Sequence, residues 1–121
     1  MAAAVHIIED DSAVRDALLE VVASDGRRVY AHESPDAFFA GPLPGDQDVV
    51  VLDLCFPHSS GIEAAERLRR ELPSAKIIVI SGVRSTPYHR ALEAITPLAS
   101  FRKPLDVGAF AACLETLLGG T

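Results

Sequence analysis

The stretch VVVLDLCFPHSSG, Val49 to Gly61, drives four apolar residues straight into an aspartate and then breaks into a loop of proline, serine and glycine. An uninterrupted apolar run of this length fits a strand covered on both faces, as in the middle of a parallel sheet. Its ending on Asp53 requires a reason. Burying even a neutral polar group without a partner costs roughly 2–7 kcal/mol, so the carboxylate must meet water or a cation at the strand's edge.

Outward from Val49 the chain alternates short apolar runs with segments of helical period, the pattern of βα units on a parallel sheet. VHII (Val5 to Ile8) reads as the first strand. Val14, Ala17, Leu18, Val21 and Val22 then recur at helical spacing, predicting a helix from about Ser12 to Ser24 that Asp11 or Ser12 caps and that stops before Gly26. RRVYA reads as a second strand, at an edge. Ser34 and Pro35 supply an N-cap and a first helical residue for a short helix that GPLPG ends. IEAAERLRREL predicts a third helix, with Glu63/Arg67 and Glu66/Arg70 paired on its outer face before Pro73. KIIVI is a fourth strand, Pro87 opens a fourth helix to about Ile95, and LASF is a short fifth strand. DVGAFAACLETLL is the last helix, with Asp106 as N-cap, a Leu105/Phe110 staple, and Phe110, Cys113, Leu114 and Leu117 facing inward. Right-handed crossovers fold such a chain into an α/β, doubly wound (βα)5 sheet, flavodoxin-like with strand order 2-1-3-4-5.

Composition narrows the function. At 121 residues and 49% hydrophobic, residues 1–121 form one domain with enough chain for a core. The net charge of -6, with no basic stripe, disfavours nucleic acid as a direct partner. No apolar run approaches the roughly 20 residues of a membrane span, and the first residues lack the basic start of a secretion signal. Cys55 and Cys113 show no metal-type spacing, so the chain reads as cytoplasmic with reduced thiols. His6, His32, His58 and His89 likewise show no ligand spacing.

In an open α/β sheet the ligand lies beyond the carboxyl ends of the strands. Those ends deliver Glu9, Asp10 and Asp11 after strand one, Asp53 after strand three, Ser81 after strand four and Lys103 after strand five. Carboxylates gathered at ~4 Å repel by about 4 kcal/mol per pair at an effective dielectric of 20. A hard cation resolves this, and a few oxygen ligands with room for water and phosphate suit Mg2+. With the metal and the Lys103 ammonium stabilising charge on a transferring phosphoryl group, Asp53 can accept it covalently as an acyl phosphate.

These residues, in order and register from Val5 to about Leu118, resemble the receiver domains of two-component response regulators, the CheY-like family. The resemblance rests on the acidic pair after strand one, on LD followed by Pro57 and Gly61, on a hydroxyl after KIIVI and on Lys103-Pro104. It implies that a sensor histidine kinase phosphorylates Asp53. It also implies that Asp10 and Asp53 bind Mg2+, with Glu9 acting through water and the Cys55 backbone carbonyl as a further ligand. Ser81 would hydrogen-bond the phosphoryl group, Lys103 would pair with it, and the Lys103-Pro104 peptide would be cis. Such a protein regulates a partner or an output domain and is not an enzyme on free substrates; a homodimer is compatible with it. The chain reads as a free-standing receiver or part of a longer regulator.

Two places depart from the family pattern. Ser100 stands where a Phe or Tyr is common, with Phe101 one place late and expected in the core, and ITP (Ile95 to Pro97) stands where Ala-Gly is common. The second reading is therefore a phosphorylation-independent docking module with an atypical switch. A metal-dependent phosphohydrolase of the haloacid-dehalogenase type would need an aspartate where Cys55 stands, and dinucleotide binding would need a glycine-rich first loop where the chain has EDD.

Overall fold

The computed structural model describes residues 3–24, 26–54, 61–82, 90, 92, 93 and 95–118, with side chains from 63 onward in the helix that begins at 61. Five strands, β1 (Ala4–Ile8), β2 (Arg28–His32), β3 (Val49–Asp53), β4 (Lys76–Ser81) and β5 (Ala99–Arg102), form one sheet in the order β2-β1-β3-β4-β5, parallel throughout. The expected topology is the observed one.

Period-2 alternation divides the core between the two faces of that sheet. On one face Ile8, Val50, Leu52, Ile77 and Val79 pack beneath Phe38, Ala65 and Leu68. These come from α2 (Pro35–Ala40) and α3 (Gly61–Glu71). On the other, Val5, Ile7, Val49, Val51, Ile78 and Ile80 pack beneath Leu18, Val22, Phe110 and Leu114. Those belong to α1 (Ser12–Ser24) and α4 (Val107–Leu118). Every residue of β1 and β3 is buried, while β2 and β5 alternate as edges do. Arg90, Leu92, Glu93 and Ile95 are helical, and the rest of the helix expected after Pro87 lies outside the described residues.

The helix starts follow capping chemistry. Asp11 rather than Ser12 caps α1, its Oδ1 accepting from the N–H groups of Ala13 (2.9 Å) and Val14 (3.3 Å). Ser34 Oγ accepts from Ala37 N, and Asp106 Oδ1 from Ala109 N. Gly26, at φ +76°, follows α1 in the left-handed conformation a glycine adopts freely. The α3 pairing differs from expectation: Arg67 Nε donates to Glu71 instead of Glu63, and its guanidinium lies 3.9 Å over the Phe39 ring. Glu66 and Arg70 point into solvent without meeting. The two alternative i,i+4 contacts are each worth about 0.3–0.5 kcal/mol, so the Phe39 ring and Asp36, 3.8 Å from Nη1, suffice to favour one over the other.

A carboxylate outside the strands fastens the opposite end of the sheet. Asp48 Oδ1 accepts from Ala4 N (2.9 Å), and its Oδ2 accepts from Gly45 N (3.0 Å) and meets His6 Nε2 at 3.1 Å. Burial alone would raise the Asp48 pKa; the Ala4 and Gly45 amides and the His6 ring together hold it below the ordinary value. His6 is 2% exposed and stacks on Tyr30, with His32 parallel beyond. Burial, then the neighbouring His6, lowers the pKa of the partly buried His32.

At that same end of the sheet, just before β5, Thr96 sits at φ +47°, where a β-branched residue is strained. It occupies the middle of ITP, the segment that departs from Ala-Gly. Arg69 braces this turn, with Nε and Nη2 both donating to Ile95 O and Nη1 to the carbonyls of Pro73 and Ala75.

Two outcomes test these contacts. Asp48→Ala lowers unfolding free energy by about 3 kcal/mol, read from urea denaturation at pH 7. Because the folded pKa is depressed, the carboxylate's contribution is present above the ordinary value and lost as pH falls through the folded one. The gap between wild type and Asp48→Asn therefore narrows below about pH 4. Thr96→Gly raises stability by about 0.5–1 kcal/mol, since relief of the left-handed strain exceeds the glycine's added unfolded-state entropy.

Candidate functional site

Register aligns the chemistry at the strands' carboxyl ends. Ile8 lies opposite Leu52, Asp53 opposite Ile80, and Ser81 opposite Arg102, so the next residue along β1 and β5 reaches the same level. Backbone bonds continue the ladder there, from Glu9 N to His32 O (3.0 Å) and from Lys103 N to Ser81 O (3.1 Å). Glu9, Asp53 and Ser81, at 1%, 1% and 2% exposure, are polar groups inside the edge of the core.

Lys103 joins them. Its Nζ donates to Glu9 Oε1 at 3.0 Å and to Asp53 Oδ2 at 3.1 Å, with the lysine side chain 25% exposed. The Lys103-Pro104 peptide is cis, as the resemblance implied. Glu9 Oε1 also accepts from Asp11 N at 3.2 Å, whereas the buried Glu9 Oε2 has no hydrogen-bond partner among the described residues. Burial pushes the Glu9 pKa up to about 7, and the neighbouring Asp53 carboxylate adds to the rise while Lys103 opposes it. For Lys103, burial would lower the pKa, but hydrogen bonds and charge attraction from Glu9 and Asp53 outweigh it and the net shift is upward.

Glu9, Asp10 and Asp53 each offer a carboxylate oxygen, and these oxygens lie within 4.8 Å of one another. An all-oxygen donor set with an orphaned buried acceptor fits a hard divalent cation such as Mg2+. The structure thus brings together Glu9, Asp10, Asp53 and Lys103, with Ser81 at the adjoining strand end. Cys55, Pro57 and His58 lie outside the described residues. Ser100 is exposed, and Phe101 points to the opposite face, its ring edge-on to Phe110 at 5.9 Å.

Two features went unread in the sequence. One is the bond from Lys103 to Glu9, which gives the first acid of the pair a role inside the site as well as beside it. The other is Arg15, whose Nη1 donates to the carbonyl oxygens of Glu9 (2.8 Å) and Asp10 (3.4 Å). Its signal was available: an arginine in a helix's first turn opposes the helix dipole.

A family model described as response regulator receiver domain matches residues 5–114. The transcriptional regulatory protein FixJ of Azorhizobium caulinodans is 34% identical over 117 residues, covering 95% of this chain and 54% of that protein. The chain thus spans about half the length of the curated relatives it matches. A CheY-like receiver domain protein from Methanospirillum hungatei JF-1 shares the fold at a TM-score of 0.85 and 18% identity, over 98% of this chain and 94% of that one. A response regulator from Colwellia psychrerythraea gives 0.82 at 28% identity, covering 100% of both chains. With the acidic strand ends, the half-buried lysine and this strand order, the chain belongs to the response regulator receiver domain family.

Proposed function

We propose that this domain is the phosphoacceptor of a two-component phosphorelay, taking a phosphoryl group from a sensor histidine kinase on Asp53 and changing conformation to regulate a partner or output domain. The observation that carries the reading is the Lys103 ammonium held between the buried carboxylates of Glu9 and Asp53, with Asp10 alongside. Isolated strand-end acids would turn to water; these are gathered.

In this reading an Asp53 oxygen attacks the phosphorus of a phosphohistidine, the P–N bond breaks, and the imidazole leaves as Asp53 becomes an acyl phosphate. Lys103 is already within hydrogen-bond reach of Asp53 and can follow the developing negative charge onto the phosphoryl oxygens. Ser81, at the adjoining strand end, supplies a hydroxyl donor. Glu9, Asp10 and Asp53 would hold Mg2+, with the Cys55 carbonyl as a further ligand, and the bound ion would offset charge on the transferring group. The incoming phosphoryl adds about -1.5 to -2 charges, enough to redistribute hydrogen bonds at the ends of β4 and β5.

Exposed Ser100 favours the second reading, a docking module that works without phosphorylation, because no aromatic ring stands there to follow Ser81. Incubation with acetyl phosphate and Mg2+ discriminates the two by intact mass. A gain of one phosphoryl group that Asp53→Asn abolishes supports the phosphoacceptor. No gain, together with an amide spectrum at Ser81 and Lys103 that beryllofluoride leaves unmoved, supports the docking module.

Removing the shared cation gives a separate outcome. At pH 8 without metal, Lys103→Met loses about 2–3 kcal/mol of stability, because two buried carboxylates then face each other. Mg2+ raises the thermal midpoint of this variant more than that of wild type, measured by calorimetry with and without chelator.

A further inference from the structure

We propose that Arg15 is a positioning residue for the acidic pair, fixing the backbone from which Glu9 and Asp10 present their carboxylates; this rests on the Mg2+-dependent phosphoacceptor reading. Arg15 lies in the first turn of α1, where the positive end of the helix dipole disfavours a cation. Among the described residues it forms no ion pair, so no nearby acid accounts for its place. Its Nη1 instead spans two successive carbonyl oxygens, at 2.8 Å from Glu9 O and 3.4 Å from Asp10 O. One guanidinium nitrogen anchored on the helix thus ties the two acceptors to a single point.

The same few residues are fixed from other directions. Glu9 N donates to His32 O, and Asp11 N donates to Glu9 Oε1. Arg15 supplies the missing side of this frame by occupying the carbonyls. The oxygens that the segment leaves for a cation are then its carboxylates, which the structure gathers with that of Asp53.

Positioning and simple electrostatics predict opposite signs. Coulomb repulsion alone would make a cation bind more tightly once Arg15 is removed. Loss of an orienting partner typically weakens metal binding by about 10–100-fold. The test titrates the 121-residue chain with Mn2+, reading free ion from its electron paramagnetic resonance amplitude at fixed ionic strength. Arg15→Gln is expected to bind about 10-fold more weakly than wild type. Arg15→Lys, which keeps the charge but shortens the reach to the two carbonyls, weakens binding too. Circular dichroism and urea midpoints without metal identify the folded variants, and Arg15→Lys carries the test if Arg15→Gln does not fold. Phosphorylation by acetyl phosphate then needs more Mg2+ for half-maximal rate while approaching the wild-type rate at saturation.

Binding by Arg15→Gln as tight as wild type or tighter overturns the proposal while leaving the metal site standing, provided Asp10→Asn loses the ion. Wild-type binding no tighter than that of Asp10→Asn overturns the metal reading and this inference with it.

Discussion

Two carboxylates buried at the ends of adjacent strands, Glu9 and Asp53, share one ammonium, and the rest of the site is arranged around that constraint. Each is 1% exposed, a position at which a lone carboxylate would carry a desolvation penalty of several kcal/mol. Neither can be satisfied from its own strand. The cation comes from Lys103 at the end of β5, separated from Asp53 by β4, so the pairing requires the full sheet order to be in place. Chain topology and site electrostatics are therefore one condition.

The sheet meets that condition through register. A slip of one residue in β1 or β3 would exchange the residues facing the two cores and carry Glu9 or Asp53 out of reach of Lys103. Apolar alternation opposes the slip, because Ile7 and Ile8, like Val51 and Leu52, serve opposite cores. Asp48 fixes the same register from the other end by bonding Ala4 and His6 of β1 immediately before β3 begins. The sheet is thus pinned by charge at both ends and by hydrophobic surface between them.

What the sequence disclosed was what local physics determines. Strands showed as apolar runs, and the starts of α2 and α4 as Ser34 and Asp106, because capping needs only three or four residues of context. The carboxylate gathering also followed, since every parallel strand delivers its last residue to one edge. Long-range choices were hidden. Asp48 looks like any loop acid until Ala4, 44 residues away, lies beside it. Glu9 and Lys103 are 94 residues apart, and no periodicity links them. Arg67 has a glutamate one turn to either side, and its contacts with Phe39 and Asp36 of α2, which accompany the choice of Glu71, form only in the fold. At Thr96 the substitution in ITP was visible, but the left-handed backbone that makes it strained is a property of the folded turn.

Charge arithmetic bears on how so acidic a site would accept phosphate in the proposed reading. Fully ionised, Glu9, Asp10 and Asp53 carry three negative charges against one on Lys103, leaving an excess of two. Burial first, and then the neighbouring Asp53 charge, raises the Glu9 pKa to about 7, so a proton can relieve part of that excess. A divalent cation would cancel the excess outright and release Glu9 from its proton. The neutral cluster would then present Lys103 and Ser81 toward Asp53 with no net repulsion for an approaching phosphoryl group. Phosphorylation of Asp53 would restore the negative excess at the same place, with Lys103 the one neighbouring ammonium among the described residues able to answer it. Any displacement of that ammonium bears on β5, whose Lys103 amide is bonded to Ser81 and whose Phe101 is packed on Phe110 of α4. The charge change and the sheet edge that feels it meet in one residue.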